Sequence, residues 1–275
     1  MNKLSTERRV QILSCLVEGM GINSTSRING VSKNTVLKLL IDIGKACSEY
    51  QDEIFRNLPC KRLQCDEIWS FCYAKQKNVP DTLKGQFGYG DVWTWTAIDA
   101  ETKLVPSWLV GDRSAETAHE FMKDLASRLK HRVQLTTDGY KAYLEAVEGA
   151  FGIDIDFATL IKIYGQDSEG EKWYSPPKII DTQIKKITGN PESKHISTSY
   201  AERQNLTMRM SMRRFTRLTN AHSKKIENHI HAISLHFMYY NFCRIHQSLR
   251  VTPAMEAGVS NHAWEIKEIT KLLDF

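Results

Sequence analysis

LTTDGYKAY, residues 135–143, has the pattern of a strand that ends on a carboxylate. Residues 135–137 read as the end of a short strand, Asp138 sits where it stops, Gly139 allows a sharp turn, and a helix-like run covers 140–147. In an α/β protein, a carboxylate at the carboxyl end of a strand points into the crevice where such sheets bind ligands. Asp is also a favoured helix N-cap, and on this stretch alone capping is the better explanation. Two further acidic motifs change the balance.

Upstream, LQCDEIWSFCYAK (63–75) reads as a strand dense in aromatic residues. Leu63, Cys65, Glu67, Trp69, Phe71 and Tyr73 fall on one face, and Gln64, Asp66, Ile68, Ser70 and Cys72 on the other. An acidic pair inside such a strand is a conflict between pattern and burial, of the kind expected at functional sites. A Gly-, Pro- and Lys-rich loop (75–91) precedes a second strand, 92–100, and a third, 104–110. A helix over 115–129 leads to the strand ending at Asp138, and a fifth strand is expected at 153–158. The order β-β-β-α-β-α-β implies a mixed sheet with helices on its faces. Residues 160–195 lack periodicity and read as a long loop or insertion.

Downstream, TSYAERQNLTMRMSMRRFTRLT (198–219) reads as one helix with Glu202 in its first turn, placing Glu202, Arg209 and Arg213 on one face. A second long helix is expected over 221–243. Its His222, His229 and His236 recur every seven residues, which is not chelating spacing, and read as polar surface or DNA-facing groups. A short helix and a final amphipathic helix (264–273) follow. His195 reads as a satisfied loop histidine.

The first 48 residues follow another pattern. A helix over 5–19, a short helix over 24–29, a turn at Gly30 and a Ser32-capped helix over 33–46 make a helix-turn-helix pattern. Its last helix would present Lys33, Asn34, Thr35 and Lys38 to base edges in the major groove. A small bundle that binds a protein is the competing reading. The expected organisation is therefore a helix-turn-helix domain (1–48), a linker or connecting helix (49–62), a catalytic domain (63–250) with the insertion 160–195, and a helical tail (251–275).

Composition agrees with a globular protein: 41% hydrophobic and 25% charged. No apolar run approaches a membrane span. The N-terminus has no secretory apolar region, and six cysteines without a CxxC pair suit a reducing cytoplasm. Residues 178–250 hold thirteen Lys or Arg against four Asp or Glu, a net of +9, which leaves −4 for the rest. Such concentration is the footprint of a nucleic-acid surface.

Asp66, Asp138 and Glu202 now stand out. A sheet ordered 3-2-1-4-5, the ribonuclease-H-like arrangement, would bring the first and fourth strands together, and the acids could hold two divalent cations. Oxygen ligands suit Mg²⁺ or Mn²⁺. Around these acids the chain resembles the DDE transposases, and specifically the insertion-sequence-one family of prokaryotic mobile elements. The resemblance is carried by CDEIWSF, WTWTAIDAETKLV, TTDGYKAY, SYAERQNLTMRMSMRRFTRLTNAHSKK and the terminal YNFCRIHQSLRVTPAMEAG, and spans most of 63–259. It implies metal binding and catalysis by Asp66, Asp138 and Glu202, and DNA-backbone contacts by Arg209 and Arg213. It also implies cleavage of element ends, joining of their 3′-OH to target DNA, and a dimer or larger assembly in a nucleoid-associated, cytoplasmic setting. Two features depart from the family: residues 160–195 separate Glu202 from Asp138, and its common N-terminal zinc ribbon is missing. A structure-specific nuclease and an inactive DNA-binding regulator are the alternatives.

Overall fold

The computed structural model describes residues 4–165, 179–216 and 220–274. Helices α1 (Thr6–Val17), α2 (Ile22–Asn29) and α3 (Lys33–Ile54) open the chain. Ser5 caps α1 through Arg8 N, and Ser32 caps α3 through Thr35 N. Between α2 and α3, Gly30 adopts φ +60°, the left-handed conformation that closes a helix without a Cβ penalty. Helix α3 runs well past the expected residue 46, so residues 49–54 of the connecting segment are helical.

The sheet follows: β1 (Arg62–Cys72), β2 (Gly90–Asp99), β3 (Ser107–Gly111), helix α4 (Ala115–Arg128), β4 (Val133–Thr137), helix α5 (Ala142–Phe151), β5 (Ile155–Tyr164) and β6 (Ile179–Thr188). The order is β3-β2-β1-β4-β5-β6, with β1, β4 and β5 parallel and the remaining pairs antiparallel. The fold is thus mixed α/β, with the 3-2-1-4-5 order read from the sequence extended by one strand. That strand corrects the long-loop reading of 160–195. β5 continues to Tyr164 and pairs with β6, while residues 166–178 lie outside the described residues. β6 is exposed along nearly its whole length, so no alternation of burial marks it in the sequence; ladder hydrogen bonds hold it instead.

Helices α6 (Ser199–Ser211), α7 (Ile226–Met238), α8 (Pro253–Glu256) and α9 (Ile266–Lys271) complete the chain. The helix expected over 198–219 ends at Ser211, and Arg213 lies in the 3-10 turn after it, off the face that carries Glu202; residues 217–219 lie outside the described residues. The histidine reading is also corrected. His229 and His236 are 1% and 6% exposed, because the seven-residue repeat that carries them falls on a buried side of α7.

Two apolar clusters divide the strands by parity. Leu63, Cys65, Trp95 and Ala97 pack with Phe121, Leu125, Tyr143 and Val147 of α4 and α5. On the other face, Ile68 and Ile98 pack with Ala201 and Met208 of α6 and Ile233 and Phe237 of α7. The N-terminal helices dock on α7: a Cβ at Gly44 of α3 would lie 2.4 Å from the His231 Cβ, so glycine alone permits this approach. Phe55 stacks on Phe242 at 5.7 Å, and Arg9 pairs with Asp274 at 3.2 Å, so the two ends of the chain meet. No helix among the described residues is long and apolar enough to cross a membrane.

Candidate active site

Strands β1 and β4 pair in parallel only as far as Gln64↔Thr136. Two residues further along each strand stand Asp66 and Asp138, at the point where the ladder ends. Side chains from both faces of β1 can reach this split. One carboxylate oxygen from each of Asp66, Glu67 and Asp138 lies within 4.8 Å of the others.

Each acid is held differently. Asp66 Oδ1 accepts from Glu67 N and Oδ2 from Asn205 Nδ2, both at 2.8 Å. Burial pushes its carboxyl up to about 6, with Asp138 and Glu202 adding to the rise. Asp138 is half-buried, and its Oδ1 accepts from Tyr140 N at 2.8 Å. It therefore fixes the turn after β4, while α5 begins later, at Ala142, without it.

Glu67 is 8% exposed and points to the α4–α5 side. Its Oε2 takes the Arg113 guanidinium at 3.1 Å, which is itself sandwiched near the Trp93 and Tyr140 rings. Glu67 Oε1 and the neighbouring Tyr143 hydroxyl are both buried and adjoin one another, but neither makes a hydrogen bond of good geometry among the described residues. Burial pushes the Glu67 carboxyl up to about 7, and the adjacent Asp138 and Asp66 add to this.

Glu202 enters from α6. The start of that helix is anchored by β1: buried Gln64 Oε1 accepts from Tyr200 N and Ala201 N at 2.7 and 3.3 Å, doing for these free amides what a capping side chain would do. Thr198 precedes the helix but donates its hydroxyl to Glu202 Oε1 at 2.8 Å, and Lys162 of β5 pairs with the same oxygen. Glu202 is exposed and lies outside the 4.8 Å set, although close enough to raise the Asp66 carboxyl.

The sequence-predicted acids are thus brought to one place in two tiers: Asp66 and Asp138 together, Glu202 alongside and paired to a lysine. Sequence reasoning passed over Glu67, Arg113, Asn205 and Lys162. Glu67 belonged to the acidic pair already noted, and strict alternation assigned it to the face away from Asp66. Asn205 had a signal of its own, an amide three residues after Glu202 on the buried stripe of α6. All-oxygen donors, one of them an orphaned buried carboxylate oxygen, fit a hard divalent cation. His195 accepts from Arg62 Nη1 at 2.6 Å, in keeping with a satisfied loop histidine.

The residues expected to contact DNA separate into two groups. Lys33 and Asn34 at the start of α3 line a cleft of about 590 Å³ together with Arg213, Arg214 and Lys224, and no Asp or Glu is among its described lining. Lys38 is exposed but outside that cleft, Thr35 is half-buried against Ser32, and Arg209 is half-buried on α6.

No known family profile matches the chain, and no curated protein matches it. Among solved structures, the chain aligns with a piggyBac transposase synaptic complex with hairpin DNA at TM-score 0.39 and 11% identity, over 99% of this chain and 72% of that one. It aligns with the Mos1 strand transfer complex at TM-score 0.29 and 10% identity, over 86% and 76%. For the Mos1 paired-end complex with the left transposon end the values are 0.24 and 12%, over 57% and 60%.

Proposed function

We propose that this protein is a DDE-type DNA transposase that cleaves the ends of an insertion sequence and joins their 3′-OH to target DNA. The observation that carries the reading is the meeting of Asp66 and Asp138 at the split between β1 and β4, with carboxylate oxygens within 4.8 Å and Glu202 alongside. Asp66, Asp138 and Glu202 would hold Mg²⁺, with Mn²⁺ as a substitute. Two such cations supply charge to the attacking and leaving oxygens of a phosphodiester. Asn205 and the Glu67 amide each hold one oxygen of Asp66 and so fix the orientation of its carboxylate. The Tyr140 amide holds Asp138 in place. Arg113 keeps a positive charge beside the cluster, which limits repulsion among the acids before the cations arrive.

Residues 1–48 act as a helix-turn-helix unit that reads the element ends, joined through 49–62 to a ribonuclease-H-like catalytic unit, 63–250, with 251–275 as a helical tail. Support comes from the acid-free cationic cleft, in which the start of α3 faces residues that follow the α6 helix. Lys33, Asn34, Thr35 and Lys38 would contact bases or nearby phosphates, and Arg209 and Arg213 the backbone close to the acids. Joining two ends calls for a homodimer or larger assembly on DNA.

The test is Mg²⁺-dependent nicking and joining of a labelled duplex that carries the element's own terminal repeats, comparing the wild type with Glu202→Gln. Joined products that vanish in the variant are expected. Cutting without joining would reassign the chain as a nuclease, and tight binding without cutting, even with Mn²⁺, as a DNA-binding regulator.

A further inference from the structure

The geometry points to Glu67 as a metal ligand: with Asp66 and Asp138 it forms a first divalent-cation site that is complete without Glu202. This rests on the metal-dependent reading above and changes which acids carry it.

Three observations converge. First, the cluster whose oxygens already lie within 4.8 Å of one another is Asp66, Glu67 and Asp138. Second, Glu67 is 8% exposed, yet its Oε1 accepts no hydrogen bond of good geometry, the group beside it being the fully buried Tyr143 hydroxyl, which adjoins it without aligning. A buried carboxylate oxygen without a partner is costly, and coordination of a cation is one of the few ways to offset that cost. Third, Glu202 is engaged elsewhere, its Oε1 held by Lys162 and Thr198. A cation reaching the protein before DNA therefore meets three carboxylates already assembled, while the fourth is tied to a lysine.

The sheet explains how adjacent residues can share one ion. Asp66 and Glu67 leave β1 on opposite faces, which would separate them in an intact ladder. Here pairing with β4 stops at Gln64↔Thr136, so the gap beyond it is open to both faces. Asp66 and Asp138 are common to both sets, Glu67 completes one from the α5 side, and Glu202 completes the other from the α6 side. The competing role for Glu67 is purely structural, an ion pair with Arg113 and a hydrogen bond from Tyr143 after a small rotation.

Mn²⁺ binding by the full-length protein without DNA separates the two roles. Free Mn²⁺ is followed by electron paramagnetic resonance for wild type, Glu67→Gln and Glu202→Gln, with melting measured in EDTA. The wild type should bind one Mn²⁺ per chain and Glu202→Gln should keep that affinity. Glu67→Gln should weaken it by at least about tenfold, the lower end of the loss seen even for groups that only support a metal ligand. In EDTA, melting reports the structural share of Glu67, whose Oε2 pairs with Arg113; a glutamate that is only structural would lower the melting temperature in Glu67→Gln and leave Mn²⁺ binding intact. If Glu67→Gln does not fold, Glu67→Asp replaces it, and unchanged affinity in that variant overturns the proposal. So does loss of the first Mn²⁺ in Glu202→Gln alone, or a wild type that binds none. Glu67-dependent Mn²⁺ binding in a protein that joins no DNA would remove the transposase reading and leave this site standing.

Discussion

Asp66 and Glu67 are neighbours in sequence but belong to opposite faces of the sheet, and the two faces are built from different chemistry. The α4–α5 face is packed with Phe121, Leu125, Tyr143 and Trp95, each 0% exposed. The α6–α7 face buries polar groups as well, and one chain of them runs from α7 back to β1. Arg214 donates to Ser223 Oγ at 2.7 Å, Ser223 meets His229 Nδ1 at 2.9 Å, and His229 Nε2 meets Ser70 Oγ, which donates to Val92 O. Since Ser70 gives its one hydroxyl proton to Val92 O, it must accept from His229 Nε2–H, and Nδ1 of a neutral ring then accepts from Ser223. Burial pushes both His229 and His236 down to about 3, in keeping with neutral rings. Both faces remove apolar area from water, and the α6–α7 face adds directional bonds that tie β1 to α6 and α7. The acids sit where these two regimes meet.

The largest effect should come from the apolar face. Phe121→Ala is expected to cost about 3–5 kcal/mol, and Ser223→Ala about 1–3 kcal/mol for the partners it strands. Denaturant melts of both variants check the order. A Ser223→Ala cost equal to that of Phe121→Ala would mean that the polar chain, not apolar area, dominates the core.

The pH dependence should split by face as well. A buried neutral histidine lowers stability as pH falls from about 6.5 toward 3, because the unfolded chain takes a proton that the folded one refuses. Asp66 and Glu67, raised to about 6 and about 7, act in the opposite sense: the stability they contribute is present below the ordinary carboxyl range and is lost as pH rises through those values. In EDTA the two effects oppose each other between roughly pH 4.5 and 6, each group contributing a slope of about 1.4 kcal/mol per pH unit. His236→Gln should therefore tilt the melting temperature downward with rising pH, and Glu67→Gln should tilt it upward. Parallel profiles for the two variants would contradict the assignment of these groups.

The smallest effect concerns the link between Glu202 and β5. A half-exposed ion pair is worth about 0.2–1 kcal/mol, so Lys162→Ala should lower the Mg²⁺ concentration needed for DNA cleavage by no more than about fivefold. A rise in that requirement would make Lys162 a DNA contact in its own right.

Much of the fold was legible because its signals are local. The alternation of β1, the helical spacing of α4 and the β4–Asp138–Gly139 stop each follow from neighbouring residues, and together they yield the strand order. Exposed β6 was not legible, since a strand paired along one edge with little burial leaves no periodic trace. The α7 histidines misled because their repeat records which side of the helix they occupy, not whether a sheet covers that side.

The candidate site divides in the same way. The sequence determined that Asp66 lies inside the first strand, that Asp138 ends the fourth and that Glu202 starts a helix, because alternation, turn and capping chemistry act over a few residues. Only the tertiary structure decided that the β1–β4 ladder stops at Gln64, that Gln64 receives the α6 amides from 136 residues away, and that Lys162 reaches Glu202. Those contacts depend on how strands from distant parts of the chain pair and splay. Alternation along a single strand assigns each residue to a face, but it cannot reveal where two strands part and let both faces reach one gap.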